Sequence, residues 1–271
     1  MPTFRLTLAY DGTGFVGWQR QASGTSIQAL VEEALRELDG RDARVTAAGR
    51  TDAGVRASGQ VASVSLTRAI DAAGLVRAIN ARLPATVRVL EAAPVEDTFH
   101  AQFHARSKTY VYRVWNDEVL SPFERAFSWH VRAPLDSDAM AAAARLLEGR
   151  HDFAAFQAAG SGTEATDRVI LRSRVHGGAT GALDDSRAST PPRWGAGLGL
   201  TPAPALVLYE IAGTGFLRHM VRNIVGTLVE IGKGRRSVES MAEVLTGRDR
   251  ARAGPTAPAA GLFLVAVDYQ A

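Results

Sequence analysis

The spacing of apolar residues along the chain predicts two successive sets of elements, each in the order β-α-β-β-α-β. In the first set, every second residue from Phe4 to Tyr10 is apolar, which is typical of a half-buried strand. Ser26 then precedes apolar residues at helical spacing and Gly40 follows the last of them, so we expect a helix between these two residues. The other predicted elements of this set are strands near 43–48, 60–66 and 86–93 and a helix near 71–82.

The second half of the chain repeats this order. Strands are predicted over 107–116, 169–176, 205–212 and 262–269, and helices over 136–148, 216–232 and, as a short additional element, 237–246. Two such sets predict an α+β fold of two ferredoxin-like halves, each an antiparallel sheet backed by helices. We expect residues 1–105 to form the N-terminal half and residues 106–271 the C-terminal half. Residues 177–204, rich in Gly, Pro, Ala and Ser, predict an insertion with little structure of its own.

The composition of the 271 residues restricts the chemistry before any motif is considered. The absence of cysteine excludes disulfides, thiolate metal sites and a cysteine nucleophile, so a nucleophile here must be oxygen or nitrogen. The sequence has neither a signal-like start nor a run of about 18 apolar residues, so we expect a cytoplasmic protein.

The basic residues are almost all arginine. Of the 31 lysines and arginines, only Lys108 and Lys233 are lysines. Guanidinium groups bind phosphate and stack on bases better than ammonium groups do. An arginine-rich chain can also reflect a G+C-rich gene, so this composition permits a nucleic-acid partner without requiring one.

Gly12, Gly14 and Gly17 have the G-x-G-x-x-G spacing of a dinucleotide-binding fingerprint and follow a predicted strand. Such a fingerprint opens directly into a helix, whereas residues 18–21 here intervene before Ser26. We therefore expect these glycines to bind neither a nicotinamide nor a flavin cofactor.

His100 and His104 are four residues apart, a spacing that on a helix can present two metal ligands. No carboxylate joins them at the spacing of a helical zinc site, and Phe99 and Phe103 lie between and beside them. We expect these histidines to have structural or hydrogen-bonding roles, and we expect no metal.

The segment 49–61 is predicted as a long hairpin tip with one carboxylate, Asp52, between Arg50 and Arg56. Asp-Ala-Gly is ordinary turn chemistry, so the segment has a purely structural explanation. Alternatively, a carboxylate held beside guanidinium groups stays ionised at neutral pH, which suits a nucleophile better than a general acid. The residues alone leave both explanations open.

The predicted helix 216–232 carries Arg218 and Arg222 near its start, on one face. A cation in the first turn opposes the helix dipole, so these arginines favour a nearby anion, either phosphate or Asp52. Polar residues on the solvated side of an amphipathic helix are the alternative.

Tyr110 and Tyr112 lie on one face of the predicted strand 107–116, which also carries Lys108. Tyrosines in this arrangement are found where a sheet stacks bases. They are equally compatible with an ordinary core in which each hydroxyl reaches a polar partner.

Six motifs in order along the chain resemble those of the tRNA pseudouridine synthase A (TruA) family. The resemblance implies an isomerase that converts uridine to pseudouridine at positions 38, 39 and 40 of the tRNA anticodon arm, without cofactor or metal, usually as a homodimer. It also implies two α+β halves that meet at a central catalytic cleft. The motifs are YDGTGFVGWQRQ (10–21), GRTDAGV (49–55), FHA (99–101), KTYVY (108–112), FLRHMVRNIVG (216–226) and GLFLVAVDY (261–269).

The resemblance assigns roles to five residues through these motifs. Asp52 is similar to the catalytic nucleophile of the family, and Arg50 to the group that helps displace the target base. Tyr110 resembles the tyrosine that stacks on the uracil. Arg222 resembles the arginine that pairs with the catalytic carboxylate, and Leu262 the apolar wall of the pocket.

The sequence departs from the family pattern at three places, which leave the proposed nucleophile untouched. Arg56 stands where histidine is common, Gln102 replaces an arginine common after FHA, and the insertion 177–204 is long. Two other classes of function stay open: a non-catalytic RNA-binding module, which would not need Asp52, and a small-molecule enzyme that uses the loop 12–17.

Overall fold

The computed structural model describes residues 1–158, 160, 165–177 and 205–269. It combines helices with mainly antiparallel strands, which confirms the predicted α+β class. Nearly all of the predicted insertion 177–204 lies outside the described residues. None of the helices in these ranges is long and apolar enough to cross a membrane.

The chain divides into two compact units, Met1–Lys108 with Phe263–Ala271, and Thr109–Leu262. The predicted halves were 1–105 and 106–271, so the division differs chiefly at the C-terminus. The last strand belongs to the first unit because Phe263 pairs with Arg56 and Leu264 pairs with Ala57.

The first unit has the predicted order β-α-β-β-α-β, followed at the end of the chain by one more strand. Its elements are β1 (Thr3–Tyr10), α1 (Ile27–Asp39), β2 (Thr46–Ala47), β3 (Arg56–Ser65), α2 (Ala72–Asn80) and β4 (Val87–Val95). β1 is the central strand, antiparallel to β3 on one side and to β4 on the other.

The second unit contains strand β5 (Ser107–Trp115) from Thr109 onward, and strands β6 (Trp129–His130), β7 (Gly149–Asp152), β8 (Asp167–Gly177) and β9 (Leu206–Gly213). Its helices are α3 (Ser137–Arg145), α4 (Met220–Gly232) and α5 (Ser240–Gly247), with 3-10 turns at Ala154–Phe156, Arg250–Arg252 and Ala259–Gly261. The strands follow the order β5-β9-β8-β7, β6 pairs with β5, and β8 and β9 form an antiparallel pair. The final strand of the chain is β10 (Leu262–Asp268).

Local sequence signals account for the helix ends that were predicted. Ser26 caps α1 by accepting a hydrogen bond from the Ala29 N–H, and Gly40 ends the helix with a φ of 75°. Asp71 and Asp136 cap α2 and α3 in the same way as Ser26.

The prediction for the start of α4 is wrong by one turn. The helix begins at Met220 because His219 has a φ of 61°, a left-handed conformation that stops the helix from extending back to residue 216. Arg218 therefore precedes the helix and does not share a helical face with Arg222.

Apolar side chains on one face of β1 and on one face of α1 are buried and belong to the core of the first unit. Burial of each large side chain contributes about 1.5–3 kcal/mol. The buried residues are Phe4, Leu6, Leu8 and Tyr10 on β1 and Ile27, Val31, Ala34 and Leu35 on α1. This core fixes the Tyr10 end of β1, beside which the Asp52 segment lies.

Candidate active site

Asp52 begins a tight turn that leads into β3. The Val55 N–H donates to the Asp52 carbonyl over 3.1 Å. Gly54 has a φ of 76°, a left-handed conformation that glycine adopts more readily than residues with a side chain. The Asp52 side chain is half-buried, whereas Arg50 is exposed. The turn residues therefore do what ordinary turn chemistry predicts, and they leave the carboxylate partly accessible.

A buried polar network holds the backbone on both sides of Arg50. The Tyr10 and Thr51 hydroxyls are 2.8 Å apart, and Gln60 Nε2 donates to the Tyr10 hydroxyl and to the Gly49 carbonyl. Burial raises the pKa of Tyr10 to about 12, so this hydroxyl stays protonated at neutral pH. Buried polar groups that satisfy one another in this way fix a single local conformation.

The glycine motif after β1 packs against the Asp52 turn. A Cβ on Gly12 would lie 2.1 Å from the Val55 carbonyl oxygen, and a Cβ on Gly17 would lie 2.6 Å from the Thr51 carbonyl oxygen. The Trp18 N–H donates to that same Thr51 oxygen over 3.0 Å. Two of the three glycines thus allow the loop 12–18 to approach the backbone of residues 51–55.

Arg56 ties the same two segments together through its side chain. Its Nε lies 3.0 Å from Asp11 Oδ1, while Nη1 donates to the Gly54 carbonyl and Nη2 to the Thr13 hydroxyl. The Arg56 side chain is only 5% exposed. Burial lowers the pKa of Arg56 and Asp11 opposes that change, but a guanidinium keeps its proton in any case. Arg56 is thus a positioning residue for the turn that carries Asp52.

In the second unit, Tyr110 is buried on β5 and packs edge-to-face on Phe216 at 5.1 Å between ring centroids. Neighbouring Tyr112 donates from its hydroxyl to the Pro258 carbonyl over 2.7 Å, and burial raises its pKa. A Cβ on Gly261 would lie 2.7 Å from the Tyr112 ring. Tyr112 and Gly261 therefore fix the segment that leads into the buried Leu262.

Arg222 lies in the first turn of α4 and is bound to the segment before the last strand. Its Nε donates to the Ala257 carbonyl over 2.7 Å, and the Ala257 N–H donates back to the Arg222 carbonyl. Buried Asn223 accepts hydrogen bonds from Arg250 and Thr256 of the same segment. The segment 250–257 thus orients the Arg222 guanidinium.

The five residues assigned by resemblance divide between the units. Arg50 and Asp52 belong to the first unit, and Tyr110, Arg222 and Leu262 to the second. Arg50 and Asp52 share one loop. Within the second unit, residues 257 and 258 precede Leu262 by a few positions and are bound by two side chains. Arg222 of α4 donates to the Ala257 carbonyl, and Tyr112 donates to the Pro258 carbonyl.

Sequence reasoning missed the residues that hold these loops. Gln60 is completely buried in β3, and Asn223 is completely buried in α4. Each is the only amide side chain in its element, and that is the signal that could have found them, because buried amides need partners.

The histidines of the segment 99–106 have the structural role predicted for them. His100 Nδ1 accepts hydrogen bonds from the N–H groups of Gln102 and Phe103, and Phe99 packs edge-to-face on His104. Among the described residues, no three histidine or acidic side chains are grouped as metal ligands.

Comparison with known proteins places this site in context. The family model of tRNA pseudouridine synthase matches residues 7–104 and 143–270. The chain is similar to the tRNA pseudouridine synthase A of Myxococcus xanthus, with 44% identity over 100% of this chain and 93% of the relative. It is 42% identical to the same enzyme from Moorella thermoacetica, over 99% of this chain and 100% of the relative. The archaeal box H/ACA sRNP Nop10–Cbf5 complex overlays with a TM-score of only 0.33 at 10% identity, over 83% of this chain and 44% of that one.

Proposed function

We propose, from the premise that this chain belongs to the tRNA pseudouridine synthase A family, that it isomerises uridines 38, 39 and 40 in the anticodon arm of tRNA. The enzyme class is that of the family, an isomerase that converts uridine in tRNA to pseudouridine. The choice of the anticodon arm rests on the six motifs that resemble this family. We further propose that the protein acts in the cytoplasm, as a homodimer, and without cofactor or metal.

The observation that carries the proposal is the half-buried Asp52 carboxylate, which lies on a turn held in place by three separate sets of contacts. Tyr10 and Gln60 hold the backbone before it, Gly12 packs on the backbone after it, and Arg56 binds the Gly54 carbonyl within the turn. Support of this kind preorganises a reactive group at low entropic cost. Asp52 is accordingly our candidate for the nucleophile.

Isomerisation of uridine breaks the C1′–N1 bond, turns the detached uracil, forms a C1′–C5 bond and releases the C5 proton to water, while N1 takes up a proton from water. A carboxylate can start this sequence by attacking C1′, by adding to C6 or by removing the 2′ proton. In each case Asp52 is regenerated at the end, and no outside oxidant or reductant is needed. Each route also requires that the detached base neither escapes nor meets water.

The remaining assigned residues supply these requirements in our proposal. Tyr110 stacks on the uracil and Leu262 closes the pocket beside it, Arg222 pairs with the Asp52 carboxylate, and Arg50 helps displace the base. Removing the target uridine from its stack costs a few kcal/mol, which contacts to the flipped base must offset. Arginine contacts to phosphate supply most of the affinity, so binding should fall steeply with salt.

The test uses unmodified tRNA with tritium at uridine C5, because isomerisation must release that label to water. Wild-type protein should release it, Asp52→Asn should release none while binding tRNA within a few-fold of wild type, and the exposed Asp42→Asn serves as the matched control. A second substrate has cytidine in place of uridines 38, 39 and 40.

Each outcome of this test has a definite meaning. Release from the cytidine-substituted tRNA would contradict the assignment of the anticodon arm. Binding without release by wild-type protein would indicate the non-catalytic RNA-binding module. Turnover by Asp52→Asn would remove the nucleophile assignment.

A further inference from the structure

A cluster of rings and one guanidinium in the first unit borders a cavity that the proposed chemistry does not use. The cavity measures about 460 Å³ and is open to solvent. We call this the Phe103 surface and define it by Phe99, Phe103, His104, Arg106 and Tyr269, which line the cavity, and by His100, which stacks on Phe103. Ala105 completes the lining, which contains no carboxylate.

The most exposed ring of the surface is held in one orientation. Phe103 is 75% exposed, and its ring stacks on the His100 imidazole at 4.1 Å between centroids with an angle of 21° between the planes. The His100 Nδ1 accepts the Phe103 N–H, which joins the backbone to the same imidazole. An exposed ring that is already fixed in one orientation can stack on a planar ligand without losing further conformational freedom.

The wall behind Phe103 is anchored in the core of the first unit. The Phe99 and Tyr269 rings are 5.2 Å apart, and the Tyr269 hydroxyl donates to the Ala101 carbonyl over 2.6 Å. Ala101 is fully buried against Ala48 and Val61. The rings of the wall are therefore fixed before any ligand arrives.

Positive charge accompanies the rings. Arg106 is exposed at the edge of the cavity. Burial raises the pKa of Tyr269, and the positive charge of nearby Arg5 partly offsets that rise. Stacking rings next to the Arg106 guanidinium, with no carboxylate in the lining, match the two chemical parts of a nucleotide: a flat base and a phosphate.

The Phe103 surface shares no residue with the turn that carries Asp52. The Ala101 N–H donates to the Ser63 hydroxyl, near the end of β3, whereas the Asp52 turn enters β3 at the other end, at Arg56. None of the residues assigned to the target uridine lines this surface. The nucleotide that we place here is accordingly a different one from the target uridine.

We propose that the Phe103 surface binds one unpaired nucleotide of the tRNA other than the target, with the base stacked on Phe103 and a phosphate on Arg106. Proteins commonly recognise unpaired bases of RNA by stacking them on aromatic rings. The identity of the RNA as tRNA rests on the proposed function, whereas the stacking and charge arguments do not.

The test measures tRNA binding in the Asp52→Asn background, so that turnover plays no part. Phe103→Ala should weaken binding about tenfold, equivalent to about 1.4 kcal/mol, and Phe103→Trp should restore it, because the larger ring still stacks. Phe123→Ala is the matched control, since Phe123 is 80% exposed and lies outside this surface. Arg106→Gln should reduce the slope of log K against log salt by about one, and Arg106→Lys should keep it.

The melting temperature of Phe103→Ala should match that of wild type, which excludes misfolding as the cause of weaker binding. Binding by Phe103→Ala equal to that of wild type would overturn the inference. A photoreactive phenylalanine at position 103 should cross-link to tRNA, and cross-linking to a second copy of the chain instead would also overturn it. If wild-type protein releases no tritium but Phe103→Ala still binds RNA more weakly, the proposed function fails and the RNA site stands.

Discussion

In the sequence Arg56 is one arginine among many, but in the structure its contacts give it a specific positioning role. It joins Asp11 and Thr13 after β1 to Gly54 in the Asp52 turn, from a position that is almost completely buried. A buried cation of this kind fixes geometry through its partners, because each lost contact leaves a polar group to be solvated.

Arg56→Met should lower the free energy of unfolding by about 2 kcal/mol, since Asp11 remains buried in part without its cation. It should also reduce turnover more than it weakens tRNA binding, because the turn loses its brace. Urea denaturation and tritium release measure the two effects. Arg82→Met, which removes an ion pair at the surface with Glu37, is the control and should change both little. An Arg56→Met protein with wild-type turnover would show that the turn holds its shape without this side chain.

Tyr10 gives a prediction for alkaline pH. Its pKa is about 12 in the folded protein against an ordinary value of 10, so the folded state keeps a proton that the unfolded state loses. The stabilisation is complete below pH 10 and disappears as the pH rises through 12, a loss of up to about 3 kcal/mol. Tyr10→Phe should be less stable at pH 7 and should lose less stability between pH 10 and 12. Urea denaturation across that range measures both, and equal slopes for the two proteins would contradict the prediction.

Among the elements, the loop after β1 and the turn before β3 act as one packed pair. Gly12→Ala would place a methyl group 2.1 Å from the Val55 carbonyl oxygen, so one backbone must move. We expect turnover to fall more than tenfold, as measured by tritium release. Gly14→Ala is the control, because Gly14 faces open space and the substitution costs only the strain of a φ of 80°, about 1–2 kcal/mol. Equal losses in the two variants would mean that strain, rather than contact with the Asp52 turn, matters here.

The elements also show which features of the fold can be predicted from the sequence and which cannot. The bounds of α1 follow from Ser26 and Gly40, whose effects are local, so the sequence predicts them correctly. The start of α4 depends on the left-handed His219, which no local pattern requires. The contact of Arg56 with Asp11 joins residues far apart in the chain, and only the pairing of β1 with β3 brings them together. The five site residues were identified by resemblance to the family, whereas the residues that hold them in place were identified only from the structure.

At the scale of the whole molecule, the first unit is made from two separate pieces of chain. β10 pairs with β3 at Arg56 and Ala57, and Gly59 approaches the Val265 carbonyl so closely that a Cβ would lie 2.2 Å from its oxygen. Residues 1–108 alone would leave this part of β3 as an open edge.

We therefore expect a polypeptide of residues 1–108 to unfold at lower temperature and to aggregate. Joining residues 263–269 to it through a short Gly/Ser linker should restore cooperative melting. Circular dichroism and amide hydrogen exchange measure the difference. Equal stability of the two polypeptides would show that β10 contributes little to the first unit.

The close packing at Gly12 and Gly17 has a consequence for how such a gene can vary. The loop can approach the turn there only because neither residue has a side chain, and every missense change in a glycine codon adds at least one carbon. No substitution at these two codons is therefore conservative in size, whatever its polarity. Inherited variation is consequently expected to preserve both glycines as strictly as the codon for Asp52, although neither glycine has a side chain with which to react.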